Sequence, residues 1–541
     1  MIDYSRDDLL EDYSQRLLNE YYVHDNECIQ EAFMRASKAF ADDDAHAQRL
    51  YESVSQLHFM FATPVLANAG SKRGMPISCF LSYVPDTLEG LIAHTSELRW
   101  LSVKGGGVAG HWSDIRSVSD IAPSPIPFLH TVDADIIAYK QGKTRRASYA
   151  AYMDIGHPDI LEFVGMRTPT GDSQRKCFNI HHAVNIPDIF MERVRDNEHW
   201  YLIDPNDGTV RDTVSARSLW QKLLETRMRT GEPYMCFIDT ANRALNDDLR
   251  KRGLRINGSN LCTEIMLPTT EERTAVCCLS SLNLAKYDEW PDTLIDDLVR
   301  MLDNVLSYFI KHCPDSMSKA RYSAKLERSI GLGVMGFHDH LQQREIPFDG
   351  PIAIGVNRKL FEEIHEKSIR ASVDLGSERG VFPDAVNSKQ RHSHVLAIAP
   401  NANSAIIAGT SPGIEPWAAN VYTHKARTGS FVVRNPNINV RKHNKGSIQE
   451  FDEYTDWEKK VFKTAYEIDQ RWIIQHAADR QEFICQGQSV NLFFPADTDK
   501  GYVNEVHRMA WKEGLKSLYY LRSMAGVTVE RTSDECFTCG G

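Results

Sequence analysis

At 541 residues the chain can bury a large core, as roughly two to four ordinary domains or one long barrel-type domain. Hydrophobic residues at 42% and charged residues at 25% are ordinary for a globular protein. A net charge of −11 with no basic tract excludes a binder of polymeric nucleic acid that works through a general electrostatic footprint.

The N-terminal "MIDYSRDDLLEDY" is acidic and lacks the apolar core of a signal peptide. No apolar run reaches bilayer length, so the reading is a cytoplasmic protein without a membrane partner. Leu9, Leu10, Tyr13, Leu17, Tyr21 and Tyr22 recur at helical spacing, with Ser5 as N-cap, and residues 1–58 read as a helical N-terminal region. From "FATPVLANAG" short apolar runs alternate with longer amphipathic stretches, which points to an α/β sheet or barrel over 59–524. "SIGLGVMGFHDHL" and "KSLYYLRS" read as strands. Leu294, Leu298, Met301, Leu302, Val305, Leu306 and Phe309 mark a long helix. "RNPNINVRKHNKGS" reads as a surface loop, and 525–541 as a flexible tail.

The eleven cysteines are scattered and odd in number, which in a reducing compartment suits fillers, metal ligands or redox groups. In "SNLCTEI", Asn260, Cys262 and Glu264 lie two apart. If the segment is extended, an amide, a thiol and a carboxylate share one face. That set offers a nucleophile or hydrogen-atom abstractor, a general base and a substrate-holding amide. A buried structural cysteine flanked by solvated groups fits the same pattern. Cys277 and Cys278 are adjacent, so in a strand they face opposite sides and at most one enters a site. Cys79, preceded by Ser78, and Thr63 upstream read locally as packed strand. In "APNANSAIIAG", Asn401, Asn403 and Ser404 precede an apolar run and form either an anion-binding loop or an ordinary helix cap. Tyr519 and Tyr520 suit packing or a redox relay. The terminal Cys536 and Cys539 form a CxxC with no partner motif for a four-ligand zinc site, leaving thiol–disulfide exchange as the other use.

Together, "NLCTEI", "CxLSxxNL", "SPGIEPW", "QGQSVNLFF", "LYY" and the terminal CxxC resemble, in order from about Thr63 onward, the catalytic large (alpha) subunit of class I ribonucleotide reductase. The resemblance implies a ten-stranded α/β barrel with a central cysteine-bearing finger loop. It implies reduction of ribonucleotides, as diphosphates by class, to 2′-deoxyribonucleotides. Cys262 matches the cysteine that becomes a thiyl radical, Glu264 the base at the 3′-hydroxyl, and Asn260 the substrate amide. Cys79 and Cys277 match the pair that ends as a disulfide, and Cys278 falls outside the pattern. Cys536 and Cys539 match the tail dithiol re-reduced by thioredoxin or glutaredoxin. Tyr519 and Tyr520 match the relay from a separate metal-containing small (beta) subunit, so no cofactor or metal is expected in this chain.

Thr63, Ser78, Asn401, Asn403 and Ser404 match substrate-phosphate contacts, although Ala402 stands where the best-known version carries Glu. Asp86 and Arg116 match positions holding a deoxynucleoside triphosphate or ATP effector at a homodimer interface. Gln141 and Arg145 match the loop joining effector to substrate choice, here with fewer glycines than usual. Only about sixty residues precede Thr63, so no overall-activity nucleotide cap is expected. The compact form suits a bacterial cytosol or that of a phage-infected host. The rival readings are an adenosylcobalamin-dependent reductase, a catalytically silent nucleotide-binding regulator, and a zinc protein using the tail CxxC.

Overall fold

The computed structural model describes residues 1–71, 73–120, 122–139, 147–426, 429–438 and 446–523. Gln141, Arg145, Cys536 and Cys539, with the whole expected tail and part of the expected surface loop after Arg434, lie outside the described residues.

The chain opens with a 3-10 turn, Tyr4–Leu9, and three helices: α1 (Asp12–Tyr21), α2 (Ile29–Ala39) and α3 (Asp44–Ser55). Ser5 is not a cap. Asp3 caps the 3-10 turn by accepting from the Ser5 N–H, and Glu11 precedes α1 without a side-chain cap. Leu17, Leu18, Phe33, Leu50, Tyr51 and Val54 bury the apolar faces of these helices. The Ser14 hydroxyl donates to the Ile406 carbonyl at 3.0 Å, which ties α1 to the helix Ala402–Ala408.

The sheet begins with β1 (Phe59–Phe61) and continues through β2 (Cys79–Tyr83), β3 (Gly107–His111), β4 (Ser148–Asp154) and β5 (His181–Ile186). A surface hairpin, β6 (His199–Ile203) and β7 (Val210–Ser215), precedes β8 (Tyr234–Phe237), β9 (Ala275–Asn283) and β10 (Ile330–Met335). A second hairpin, β11 (Val421–Ala426) and β12 (Gly429–Arg434), is followed by β13 (Leu492–Phe494), β14 (Ser517–Leu518) and β15 (Leu521–Ser523).

Strands β2, β3, β4, β5 and β8 are parallel neighbours in that order. A second parallel set starts at β9 and β10. It passes by bridges from Leu332 to Leu396 and from Ile398 to Gln488, then pairs β13 with β15. The two sets join antiparallel at β2–β9 and at β8–β14. Two parallel half-barrels, ten extended segments in all, therefore run in opposite senses around one centre, as the α/β barrel reading requires. Crossover helices cover the outside, among them Leu294–His312, as its periodicity predicts. Every residue of β9 is buried, so its run of small and apolar residues reads as interior strand rather than as an alternating one.

"SIGLGVMGFHDHL" is strand only to Met335. Gly336 turns the chain at φ 77°, and Phe337–Gln342 is a buried helix. A side chain at Gly336 would meet Thr410 Oγ1 and Asn283 Oδ1 at 2.5 and 2.8 Å, so glycine is needed for both the turn and the close approach. Among the described residues no helix is long and apolar enough to cross a membrane.

Candidate active site

The segment from Ser259 to Ile265 is not the extended strand that a two-residue spacing suggests. Thr263 sits in the left-handed region at φ 68°, unusual for a β-branched residue and a cost of about 1–3 kcal/mol. The surroundings hold it there. The Asn260 side-chain oxygen accepts from the N–H groups of Glu264 and Ile265 at 3.0 and 3.1 Å, closing the turn on itself. Tyr152, from β4, donates to the Asn260 carbonyl at 2.7 Å. The Ser517 hydroxyl, from β14, donates to the Thr263 carbonyl at 2.9 Å. The three residues are brought together by a turn.

A second segment, 486–489, grips the same loop. The Ser489 hydroxyl donates to the Cys262 carbonyl at 2.6 Å, the Gly487 N–H to the Glu264 carbonyl at 2.7 Å, and the Met266 N–H to the Gln486 side chain at 3.2 Å. A side chain at Gly487 would stand 3.0 and 3.1 Å from the carbonyls of Thr263 and Glu264, so anything larger than glycine would push the loop back by a few tenths of an ångström. These residues lie in "QGQS", which sequence reading treats only as part of a family signature. A glycine between polar residues ahead of an apolar strand is the one local sign of a close backbone contact.

Cys79 on β2 and Cys277 on β9 are direct partners across the antiparallel junction of the half-barrels. Such partners lie about 4.5–5.5 Å apart at Cα, inside the range a disulfide spans. The Asn260 amide nitrogen lies 3.9 Å from Cys79 Sγ, and Gln486 Nε2 lies 3.4 Å from Cys277 Sγ. The neighbouring Cys278 points the other way, toward the Leu302 carbonyl at 3.4 Å, as alternation along a strand demands. Gly331 on β10 faces Cys277, where a side chain would lie 3.1 Å from the sulfur.

Burial pushes the Glu264 carboxyl up to about 7, although hydrogen bonds from Asn260 and Ser489 oppose the shift. It is thus poised to exchange a proton near neutrality. Burial, then the adjacent Cys278, raises the Cys277 thiol well above its ordinary value.

From Cys262 an aromatic path leads outward. Tyr519 Oη lies 3.4 Å from Cys262 Sγ, and the Tyr519 and Tyr520 rings are 4.3 Å apart. Tyr234, on β8, packs against both at 4.8 and 5.0 Å. Beyond Tyr520, Arg522 lies over its ring and His181 Nδ1 is 3.4 Å from its oxygen. Glu232 bonds His181 and His182 at 2.6 and 3.2 Å and faces Arg167 at 3.5 Å. Burial opposes ionisation of Glu232, but Arg167 and the two histidines outweigh it and hold the carboxyl well below its ordinary value. Tyr234, His181, Glu232 and Arg167 carry no sequence signal of their own, because their grouping depends on the order of strands in the barrel.

The phosphate candidates lie along the same wall. Asn401 adopts the left-handed conformation before the helix Ala402–Ala408. Its amide donates to Ser281 at 2.7 Å and to Ser404 at 3.3 Å. Ser281 is four residues along β9 from Cys277, hence on the same face and about 13 Å away. Asn403 and Ser404 are buried. Thr63 opens the helix Thr63–Asn68 and bonds the Tyr22 hydroxyl at 3.1 Å, and Ser78 Oγ lies 3.8 Å from Cys79 Sγ.

Asp86 and Arg116 form an ion pair at 2.8 Å. They stand near two helices, Leu88–Val103 and Pro125–Ala138, linked by Arg99 and Asp135 at 3.0 Å. Leu88, Ile92, Trp100 and Val103 share one face of the first, and with Ile137 of the second they are exposed.

Residues 9–74 match the family model described as ribonucleotide reductase, all-alpha domain, and residues 77–390 and 387–521 match the one described as ribonucleotide reductase, barrel domain. A putative ribonucleoside-diphosphate reductase large subunit of Frog virus 3 is 51% identical over 523 residues, covering 92% of each chain. The ribonucleoside-diphosphate reductase large subunit of Invertebrate iridescent virus 3 is 39% identical over 629 residues, covering all of both. Among solved structures, the class Id ribonucleotide reductase alpha subunit of Actinobacillus ureae superposes with a TM-score of 0.86 at 31% identity, over 97% of this chain and 99% of that one.

Proposed function

The chain belongs to the ribonucleotide reductase large-subunit family, and from that premise we propose how its own residues reduce ribonucleotides, as diphosphates, to 2′-deoxyribonucleotides. The observation that carries the reading is the opposition of Cys79 and Cys277 across the half-barrel junction, beside the loop that presents Cys262 and Glu264. A separate metal-containing small subunit supplies the oxidising equivalent. Tyr520 and Tyr519 pass it inward, each giving up an electron and a proton and recovering both, until Cys262 is a thiyl radical. The ring spacing of 4.3 Å and the 3.4 Å contact with sulfur support that order.

Cys262 removes the 3′ hydrogen of the ribose. Glu264 takes the 3′-hydroxyl proton, which suits a carboxyl poised at about 7. With the 3′ radical in place the 2′ carbon–oxygen bond is weakened, and a proton from the Cys79–Cys277 pair lets the hydroxyl leave as water. The two thiols supply two electrons and the hydrogen for the 2′ carbon and end as a disulfide. Glu264 gives its proton back to the 3′ oxygen, and Cys262 returns the hydrogen to the 3′ carbon and is a thiyl radical again. Asn260 holds the loop closed and offers its amide beside Cys79. Thr63, Ser78 and the Asn401–Ser404 loop hold the phosphates. Cys536 and Cys539, on the tail, reduce the disulfide and are themselves renewed by a thioredoxin- or glutaredoxin-like protein.

The exposed apolar face of Leu88–Val103 supports a homodimer, with Asp86 and Arg116 beside it in a nucleotide effector site to which the family resemblance also assigns Gln141 and Arg145. The scattered, odd-numbered cysteines support a reducing compartment, the cytosol. The packed tyrosines favour a small-subunit partner over local radical generation from adenosylcobalamin. The test is an assay with CDP and dithiothreitol, with and without the small subunit. dCDP is expected only when the subunit is present. Turnover supported by adenosylcobalamin alone overturns the partner assignment.

A further inference from the structure

Gln486 is fully buried and every polar atom of its amide is engaged. One nitrogen donates to the Ile330 carbonyl at 3.0 Å and to Cys277 Sγ at 3.4 Å, while its oxygen accepts from the Met266 N–H at 3.2 Å. The amide is therefore locked with a hydrogen aimed at one sulfur of the pair. Near Cys79 Sγ stand the Asn260 amide nitrogen at 3.9 Å and the Ser78 hydroxyl at 3.8 Å, both longer than the Gln486 contact with Cys277. The two residues also differ in exposure: Cys79 is 7% exposed and Cys277 is 1% exposed.

We propose that Gln486 makes Cys277 the leaving sulfur when the Cys79–Cys277 disulfide is re-reduced, so that the incoming thiolate bonds to Cys79. The proposal rests on the reading above, in which this pair forms a disulfide during turnover. In the step, a thiolate of a dithiol reductant attacks Cys79 Sγ. The sulfur–sulfur bond breaks and its electron pair goes to Cys277 Sγ, where the Gln486 N–H meets the new negative charge. The second thiol of the reductant then displaces Cys79, and both cysteines take up protons. Exchange is faster when the leaving thiol is the better-stabilised thiolate. In a buried site an amide donor to an anion replaces the water that the thiolate lacks. Burial raises the Cys277 thiol, and the Gln486 contact acts in the opposite direction, lowering it. Gln486 is thus a positioning residue for electron delivery, and its link to Met266 ties that sulfur to the loop carrying Cys262 and Glu264.

The experiment uses the full chain with Cys536→Ser and Cys539→Ser, so that the tail does not compete. The chain is first oxidised by turnover with the small subunit and CDP, and the disulfide is mapped. Absence of a Cys79–Cys277 disulfide at this stage overturns the underlying reading before the new one is tested. The oxidised chain is then treated with limiting 2-mercaptoethanol, trapped with acid and N-ethylmaleimide, and mapped by mass spectrometry. At least tenfold more adduct on Cys79 than on Cys277 is expected. Equal adducts, or an excess on Cys277, overturn the proposal.

In Gln486→Met the ratio is expected to fall toward one. The pH at half-maximal alkylation of Cys277 in the reduced chain should rise by about one unit, a tenfold loss of thiolate at fixed pH. A ratio and pH profile that match the parent chain show that exposure alone selects Cys79 and also overturn the proposal. Gln486→Asn, whose amide is one methylene too short to reach the sulfur, serves the same test if the methionine variant does not fold.

Discussion

The loop at Ser259–Ile265 and the helix Leu88–Val103 are opposites. The loop is sealed: Cys262, Glu264 and Asn260 are almost wholly buried, and three residues of 486–489 hold its backbone. The helix leaves Leu88 and Ile92 more than 60% exposed on one apolar face. Radical chemistry needs a site closed to water and stray hydrogen donors, and the barrel closes it with groups from a single chain. The helix face is the surface proposed above to be completed by a second copy, and uncovered apolar area in a single chain is what such an interface leaves. Substitutions in the loop should therefore act on chemistry in each subunit, and those on the helix on assembly.

The largest effect is expected at the inner tyrosine. Tyr519→Phe keeps the ring and its packing but removes the hydroxyl next to Cys262, and partner-driven turnover of CDP should be lost while the melting transition is kept. Next is Glu264→Gln, expected to slow turnover by about 10²–10⁴-fold, the usual worth of a positioned base. In the parent chain turnover should rise as the pH passes through about 7, because the base must be unprotonated, and the glutamine variant should lose that limb.

The same carboxyl affects stability with the opposite sign. Its value rises from 4.5 in the ordinary state to about 7 when buried, so across that window the folded chain keeps a proton that the unfolded chain has released. Its contribution to stability thus declines as pH rises from 4.5 to 7. Denaturant melts of Glu264→Gln should show a shallower decline there. A smaller loss is expected of Gly487→Ala, where the added methyl meets two carbonyls at 3.0 and 3.1 Å and must shift the loop. Turnover should fall about tenfold with substrate affinity little changed, since a small displacement of a reacting group is costly.

The mildest effect on chemistry, and the sharpest contrast, is expected of Ile92→Asp. Sedimentation should show a dimer weakened by at least about tenfold, because a charge in a closely packed apolar contact is unpaired there. Effector-independent turnover should change little.

Much of the site was legible before the fold. The family signature marks Cys79, Cys262, Cys277 and the tyrosine pair, and the adjacency of Cys277 and Cys278 correctly places them on opposite faces. The local geometry around Cys262 was not legible. A spacing of two suggests a strand, but Thr263 in a left-handed turn is imposed by contacts from β4, β14 and the 486–489 segment, all remote in sequence. Gln486 and His181 were invisible for the same reason: their partners are set by strand order rather than by local pattern. The strand reading past Met335 failed at Gly336, where a positive φ starts a buried helix whose apolar residues mimic strand continuation.

The most direct measurement is a single turnover of the full chain with its small subunit and CDP, without external reductant, followed by disulfide mapping of Cys536→Ser, Cys539→Ser protein. One Cys79–Cys277 disulfide per dCDP formed is the expected result. Formation of dCDP with both of those thiols intact contradicts it.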